Sequence, residues 1–499
     1  MDRKKSLIFN TALLTGTTLS LRCVSMAWQV WLVAKIGSAG IGLLTLVLSV
    51  GSMAATFAIS GIRFTSTRLV AEEIGRGNPG GVTASVTRCC AYALFFGLAA
   101  AAILYLTAER IGFLWIGDAR TVLSLEIIAF SLPFTSLGSV LSGYFTSTGH
   151  IYKSALAQIA EDLSRIALAA AFLSLAPAGD LEKSCAAVAA AGTASQMLTL
   201  ALLSALYVFD RRRFSGTRRS SRLTGRMLRT AVPVALSAYA RTSLSTIQQI
   251  LVPRGLRRSG LSADGAMSDY GAIHGMAFPV VAFPSCILAA LGDVLVPELT
   301  EAQVAGEHKR IVSVTSVLLE RCIVLSAGVA AIVFTFSHEF GIAVYSSARA
   351  GTYIGLLALL APVMYMDMVT DACLKGLGEV VYTMGVSVID SLVCIALVPI
   401  LLPRYGIGGY LFIVFASEML NFLLSYARLA YKVSPDVSVS RCAIAGLCAA
   451  AAAQGVRLVL NAAHISALSP LPLTIAVAAA CAVYGALLRL CVYEKSTGC

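Results

Sequence analysis

Four arginines stand out because they fall inside long apolar runs: Arg22, Arg63, Arg241 and Arg457. An arginine at the centre of a bilayer costs about 2.5–3.5 kcal/mol on insertion scales, so each needs a reason to be there. Guanidinium keeps its proton in apolar surroundings and grips phosphate oxygens through paired N–H donors. Arginines lining a cavity therefore suit an anionic, phosphate-bearing cargo. The bland alternative is that each arginine neutralises an acid. Glu126, Glu161, Asp162, Asp293, Asp367, Asp371, Asp390 and Glu418 lie at similar depth. Arg165 follows Glu161 and Asp162 by one helical turn and reads as paired with them. Arg22 and Arg241 have no acid within helical reach, so cargo binding is expected of them, with Arg63 assisting. Asp367 and Asp371, one turn apart, form a candidate cation site or charge pair to which their own helix is expected to offer no base. No metal site and no cofactor are expected. The 13 cysteines are odd in number, form no CxxC, and mostly sit within apolar runs as small fillers.

These side chains need a lipid-embedded frame. The chain has 499 residues, of which 58% are hydrophobic and only 13% charged, with a mean hydropathy of +0.82. A soluble core cannot hide that much apolar surface. Stretches of about 20 residues long enough to cross a bilayer recur throughout. Six run from residue 7 to 208, six from 226 to 431, and two more lie near 441–462 and 470–492. The predicted fold class is all-α and integral to the membrane, with about fourteen transmembrane helices. The net charge of +12 reads as topology rather than as a nucleic-acid surface. The basic stretch from Asp210 to Arg226 and the start at Arg3, Lys4 and Lys5 would share one face, which the positive-inside rule makes cytoplasmic. Both termini are then expected in the cytoplasm of a multi-pass plasma-membrane protein. The loop carrying Arg254, Arg257 and Arg258 goes against the rule. The first apolar run is too long for a cleaved leader and holds Arg22, so it reads as an uncleaved span.

Landmarks recur at an interval of roughly 220 to 230 residues. The segment from Thr11 lies over that from Thr230, which sets Arg22 on Arg241. Glu72 matches Glu298, Pro133 matches Pro362, Gly149 matches Gly378, and Glu161 matches Asp390. Each half holds six spans. Six is even, so the halves are expected to share one orientation about a pseudo-twofold axis along the membrane normal, with Arg22 and Arg241 on facing walls of a central cavity. The expected domains are a six-helix lobe at 1–209, a basic linker at 210–225, a second six-helix lobe at 226–432, and two added helices with a tail at 433–499.

The passages RLVAEEIGRGN from Arg68, VPVALSAYARTSLSTIQQILVPRGLRRSGLS from Val232 and YGAIHGMAFPVVAFPSCILAALGDVLVPELTEAQVAGEHKRI from Tyr270 resemble the stage V sporulation protein B-like branch of the polysaccharide exporter family. That superfamily also holds lipid II flippases and multidrug and toxic-compound extruders. The resemblance implies a transporter that flips a polyprenyl diphosphate-linked saccharide by alternating access, with a role in spore cortex or envelope glycan synthesis. It implies cavity arginines for the diphosphate, which fits Arg22, Arg63 and Arg241, and a tail groove formed by the two added helices. The partners would be that lipid-linked saccharide and the bilayer, without nucleic acid.

Two rivals remain. A cation-coupled drug antiporter of the same fold would carry acids on spans one or seven, where this chain has arginines. A membrane glycan polymerase or ligase would place acid–base groups on a large external loop, whereas the longest, Pro253 to Gly271, is only about 20 residues. No GxxxxGK[ST] nucleotide loop is present, and the chain is expected not to be an enzyme.

Overall fold

The computed structural model describes residues 3–493 apart from 176, 178, 212–222, 437 and 464–467, and leaves the side chains of 3–21, 151, 290, 293–295, 297 and 439 undescribed. Most of the basic linker and the side chains of Lys4, Lys5 and Asp293 thus lie outside the described residues.

Every regular element described is helical: α1 (Arg3–Ile59), α2 (Ile62–Gly75), α3 (Pro79–Arg110), α4 (Val122–Ser147), α5 (Ile151–Leu175), α6 (Leu181–Asp210), α7 (Leu223–Arg258), α8 (Ala263–Gly271), α9 (Phe278–Ala282), α10 (Cys286–Val304), α11 (His308–Thr335), α12 (Ser337–Tyr345), α13 (Ala348–Ala358), α14 (Ala361–Gly376), α15 (Val380–Val433), α16 (Val439–Ala462) and α17 (Pro470–Leu488). Among the described residues nine helices are long and apolar enough to cross a bilayer, and the bent pair α13–α14 makes a tenth. Two of the nine, Arg22–Gly75 and Val380–Val433, are 54 residues long. At 1.5 Å per residue that is about 80 Å, more than twice a hydrocarbon core. Val380–Val433 leaves helical geometry near its middle, at Gly406 (φ 55°), while the run through α1 and α2 leaves it at Gly37 (φ 70°) and again at Ser60 and Gly61, and each makes two crossings. The 25 residues of α5 and 36 of α7 are also long enough to span, but are too rich in charge to count as purely apolar. With these, about fourteen crossings result.

The chain forms two compact units, a smaller one from Leu43–Arg254 and a larger one from Met1–Gly42 with Gly255–Cys499. In the smaller unit a core of Ile62, Leu69, Val86, Tyr144, Phe145 and Met227 gathers α2, α3, α4 and the start of α7. Pro133 sits inside an unbroken α4, and Gly97 of α3 packs onto it. A Cβ at Gly97 would lie 2.9 Å from the Pro133 Cα. Pro362 differs. It occupies the first turn of α14, just after a 54° bend from α13, so these two repeat-related prolines act differently. In the larger unit α16 and α17 lie against α11 and α12, with Ala445, Ala449 and Ala453 presenting small side chains to the seam. The Tyr484 hydroxyl donates to the Val324 carbonyl at 2.7 Å.

Local geometry repeats as the sequence does. Gly149 and Gly378 take φ of 77° and 76° just past helix ends. Each donates its N–H to the residue three back, Thr146 and Lys375, while the next residue bonds to Phe145 and Leu374. Gly77 and Gly306 close α2 and α10 in the same manner, through Ile74 and Gln303. Such left-handed helix ends favour glycine.

Candidate functional site

The second crossing is broken. α1 stops at Ile59, Ser60 and Gly61 take left-handed φ of 45° and 70°, and α2 begins at Ile62. Serine pays strain in that region, and the buried Ser60 is held there from two sides. Tyr239 donates to the Ser60 Oγ at 2.6 Å, and the Tyr92 hydroxyl lies 2.9 Å from it. α7 runs antiparallel to this stretch, linked by Thr56–Thr242 and Ser49–Thr246 hydroxyl pairs at 3.4 Å. Gly61 lets α7 come close, since a Cβ there would lie 2.8 Å from the Ala231 carbonyl. The opening N–H groups of a helix have no partner within it, and no side chain caps those of α2. The break therefore presents the positive end of a helix dipole inside a long apolar run, a device by which broken membrane helices hold anions.

Arg63 stands in that first turn with its side chain exposed. It lines a pocket of about 150 Å³ whose polar walls are Thr135, Ser139 and Ser142 of α4, Ser154, Gln158 and Glu161 of α5, and Gln196 and Thr199 of α6, with Gly138, Ala157 and Leu203 completing it. Gln196 donates to Glu161 at 2.5 Å. Arg241 is on the same unit, exposed, and level with Thr56 through its neighbour Thr242. It stands about seven residues, or roughly 10 Å of helix, from Arg63. Arg22 belongs to the larger unit. It is exposed on the face of α1 that carries Gln29 two turns on, where Gln29 donates to the Gly275 carbonyl at 3.2 Å. None of the three makes an ion pair with a carboxylate among the described residues.

Other charges are locked. Arg457 bonds the Thr335 carbonyl at 2.7 Å and lies 3.6 Å from Glu339. Arg165 pairs with Asp162 at 2.8 Å. Asp371 corrects an expectation, because α14 does supply a base: Lys375, one turn later, pairs with it at 3.4 Å. The helix continues to Gly376, further than the apolar run alone marks. Ser425 adds a bond to Asp371 at 3.3 Å, whereas the buried Oδ1 of Asp367 meets no donor among the described residues. Glu73, fully buried, is bound by Arg76 at 3.0 Å, Asn78 at 2.8 Å and Arg226 at 2.6 Å. This knot, built by RLVAEEIGRGN, ties the start of α7 to the end of α2.

The polar pocket walls were absent from the sequence reading, though their signal was there. Thr135, Ser139 and Ser142 follow i, i+4, i+7 spacing, as do Ser154, Gln158 and Glu161, which makes one wet face on each helix. A second cavity of about 600 Å³, between Phe57, Phe96, Ile103, Trp115 and Tyr239, carries Arg110 as its one charged wall. It suits an apolar guest, not a headgroup.

Long apolar helices, two of them broken or bent, define an all-helical multi-pass membrane fold, and solved structures share it. The chain superposes on the lipid II flippase MurJ in its inward closed conformation with a TM-score of 0.70, at 12% identity, covering 97% of this chain and 99% of that one. An inward-facing multidrug resistance MATE family transporter of the MOP superfamily gives 0.65 at 15% identity, over 83% and 94%. The sequence matches the polysaccharide biosynthesis protein family over residues 7–303, and the chain belongs to that family. It is similar to stage V sporulation protein B of Bacillus subtilis (strain 168), 24% identical over 444 residues, or 87% of this chain and 85% of that protein. The likeness to the two solved structures is one of fold, an all-helical multi-pass membrane bundle.

Proposed function

We propose that the chain is a flippase for a polyprenyl diphosphate-linked saccharide, such as a peptidoglycan or polysaccharide precursor, working by alternating access in the cell membrane with both termini cytoplasmic. The observation that carries this reading is Arg63. It has no described carboxylate partner, stands in the uncapped first turn of α2, and borders a pocket of hydroxyl and amide groups. A guanidinium beside a helix N-terminus suits a diphosphate, and the adjoining polar walls suit what the diphosphate carries. Arg241 and Arg22 add charge for the same headgroup, and the polyprenyl tail stays in lipid. In this reading residues 1–209 and 226–432 act as the two moving lobes, 210–225 links them, and 433–499 is an addition. The relatives' names support the cargo class, and the sporulation relative supports a role in spore or envelope glycan.

Reconstituted full-length protein tests this with fluorescent lipid-linked saccharide in vesicles. Arg63→Ala and Arg241→Ala should each lower flipping by about tenfold or more, the size of a lost charge-assisted contact. Unchanged flipping in both variants would sink the reading.

The apolar cavity near Phe57 and Tyr239 and the unpartnered Asp367 oxygen favour a second reading, a cation-coupled drug antiporter. Drug-dependent proton or sodium flux in the same vesicles, with no movement of lipid-linked saccharide, would establish it instead.

A further inference from the structure

We infer that the pocket beside Arg63 is the subsite for the first sugar ring of the cargo, the ring attached to the diphosphate. The inference rests on the flippase reading and adds to it a position and a chemistry for the saccharide.

The walls decide the guest. A second phosphate is disfavoured, because the Glu161 carboxylate faces the space and is bound only through Gln196 among the described residues. An apolar group would leave the Thr199 hydroxyl stranded. Thr199 as a residue is 8% exposed, and its buried hydroxyl oxygen has no hydrogen-bond partner among the described residues, a state that costs free energy until a partner arrives. A metal ion lacks its ligand set, since no cluster of three or more His, Cys, Asp or Glu occurs among the described residues. A neutral, hydroxyl-bearing ring meets every demand. Its O–H groups donate to Glu161, and its oxygens accept from Gln158 and Thr199. The volume of about 150 Å³ is on the scale of a single ring, and later sugars would extend through its open side. Arg63, at the pocket's rim, would then hold the phosphate joined to that ring.

The experiment uses full-length protein in nanodiscs and measures binding of two probes, undecaprenyl diphosphate and the same lipid bearing a single N-acetylhexosamine. Wild type should prefer the sugar-bearing lipid. Thr199→Val and Gln158→Leu should each erase about fivefold or more of that preference, the scale of a lost hydrogen bond, while affinity for the bare lipid stays within about twofold. Arg63→Ala should weaken both probes. Equal affinity of wild type for the two probes, or a preference that survives both substitutions in folded protein, overturns the subsite while leaving the flippase reading intact. Failure of wild type to bind either lipid overturns the flippase reading and the subsite with it. A preference that follows sodium or pH instead of the sugar overturns the subsite in favour of a cation site. Thr199→Val is near-isosteric, and a thermal melt matching wild type certifies its fold.

Discussion

Arg63, Arg241 and Arg226 carry the same charge and should answer mutation in opposite ways. Arg226 is spent on structure, reaching Glu72 at 2.9 Å and the buried Glu73 at 2.6 Å. Its truncation removes the 2.6 Å ion pair from the buried Glu73, so Arg226→Ala should destabilise the protein by about 1–3 kcal/mol and lower its melting temperature in detergent. Arg241→Ala should leave melting unchanged and reduce cargo binding. Arg63→Lys should bind more weakly than wild type yet better than Arg63→Ala, because an ammonium supplies charge without the bidentate fork. Equilibrium binding beside a melting curve separates these outcomes. Reading the sequence singled out Arg22 and Arg241 by the absence of a local acid, and Arg63 by its depth in an apolar run and the family resemblance. It could not reveal Arg226 as a structural residue, because its partners lie about 150 positions earlier, a contact that only folding creates.

At the scale of helices, close approach and end geometry set stability. Gly143 lets α4 rest on α2, where a Cβ would lie 2.6 Å from the Arg63 carbonyl. Gly143→Ala should therefore cost about 1–3 kcal/mol and, by pushing α2 aside, weaken cargo binding as well. A binding loss without a melting shift would contradict that account. Glu379, in the turn between α14 and α15, is held by Lys432 at 2.9 Å and by Arg428 at 2.9 Å. The bonds from Lys432 first, and then Arg428, keep its carboxyl below the ordinary range. Its contribution is thus present above the unfolded value of about 4.3 and fades as pH falls through the lowered folded value. Melting of Glu379→Gln against wild type should differ at pH 7, and the gap should narrow under acid. The helices and their order were legible because apolar length announces a span. Both the break at Ser60–Gly61 and the fused rod through Gly406 escaped, because a local φ change leaves hydropathy untouched. The S-G pair was the available sign.

Across the whole molecule the helix-ending geometry at Gly77 recurs at Gly306, and that at Gly149 recurs at Gly378. The proposed topology, with an even number of crossings, sets both ends of the chain on the cytoplasmic face. Reporter fusions at Met1 and Cys499 should both read as cytoplasmic, and opposite readings would overturn the proposed topology. The bundle as a class was readable from composition and repeat. The polar pocket was not, since it arises where four helices converge.

The interruption at Ser60–Gly61 carries one more implication. Amide groups left open at the start of α2 would each cost several kcal/mol in hydrocarbon, so acyl chains cannot seal this level of the protein. Solvent has to reach it from one face of the membrane or the other. Deuterium should accordingly enter the amides of the exposed Arg63 and Phe64 quickly while the turns above and below stay protected, and a bound anionic headgroup should slow that uptake.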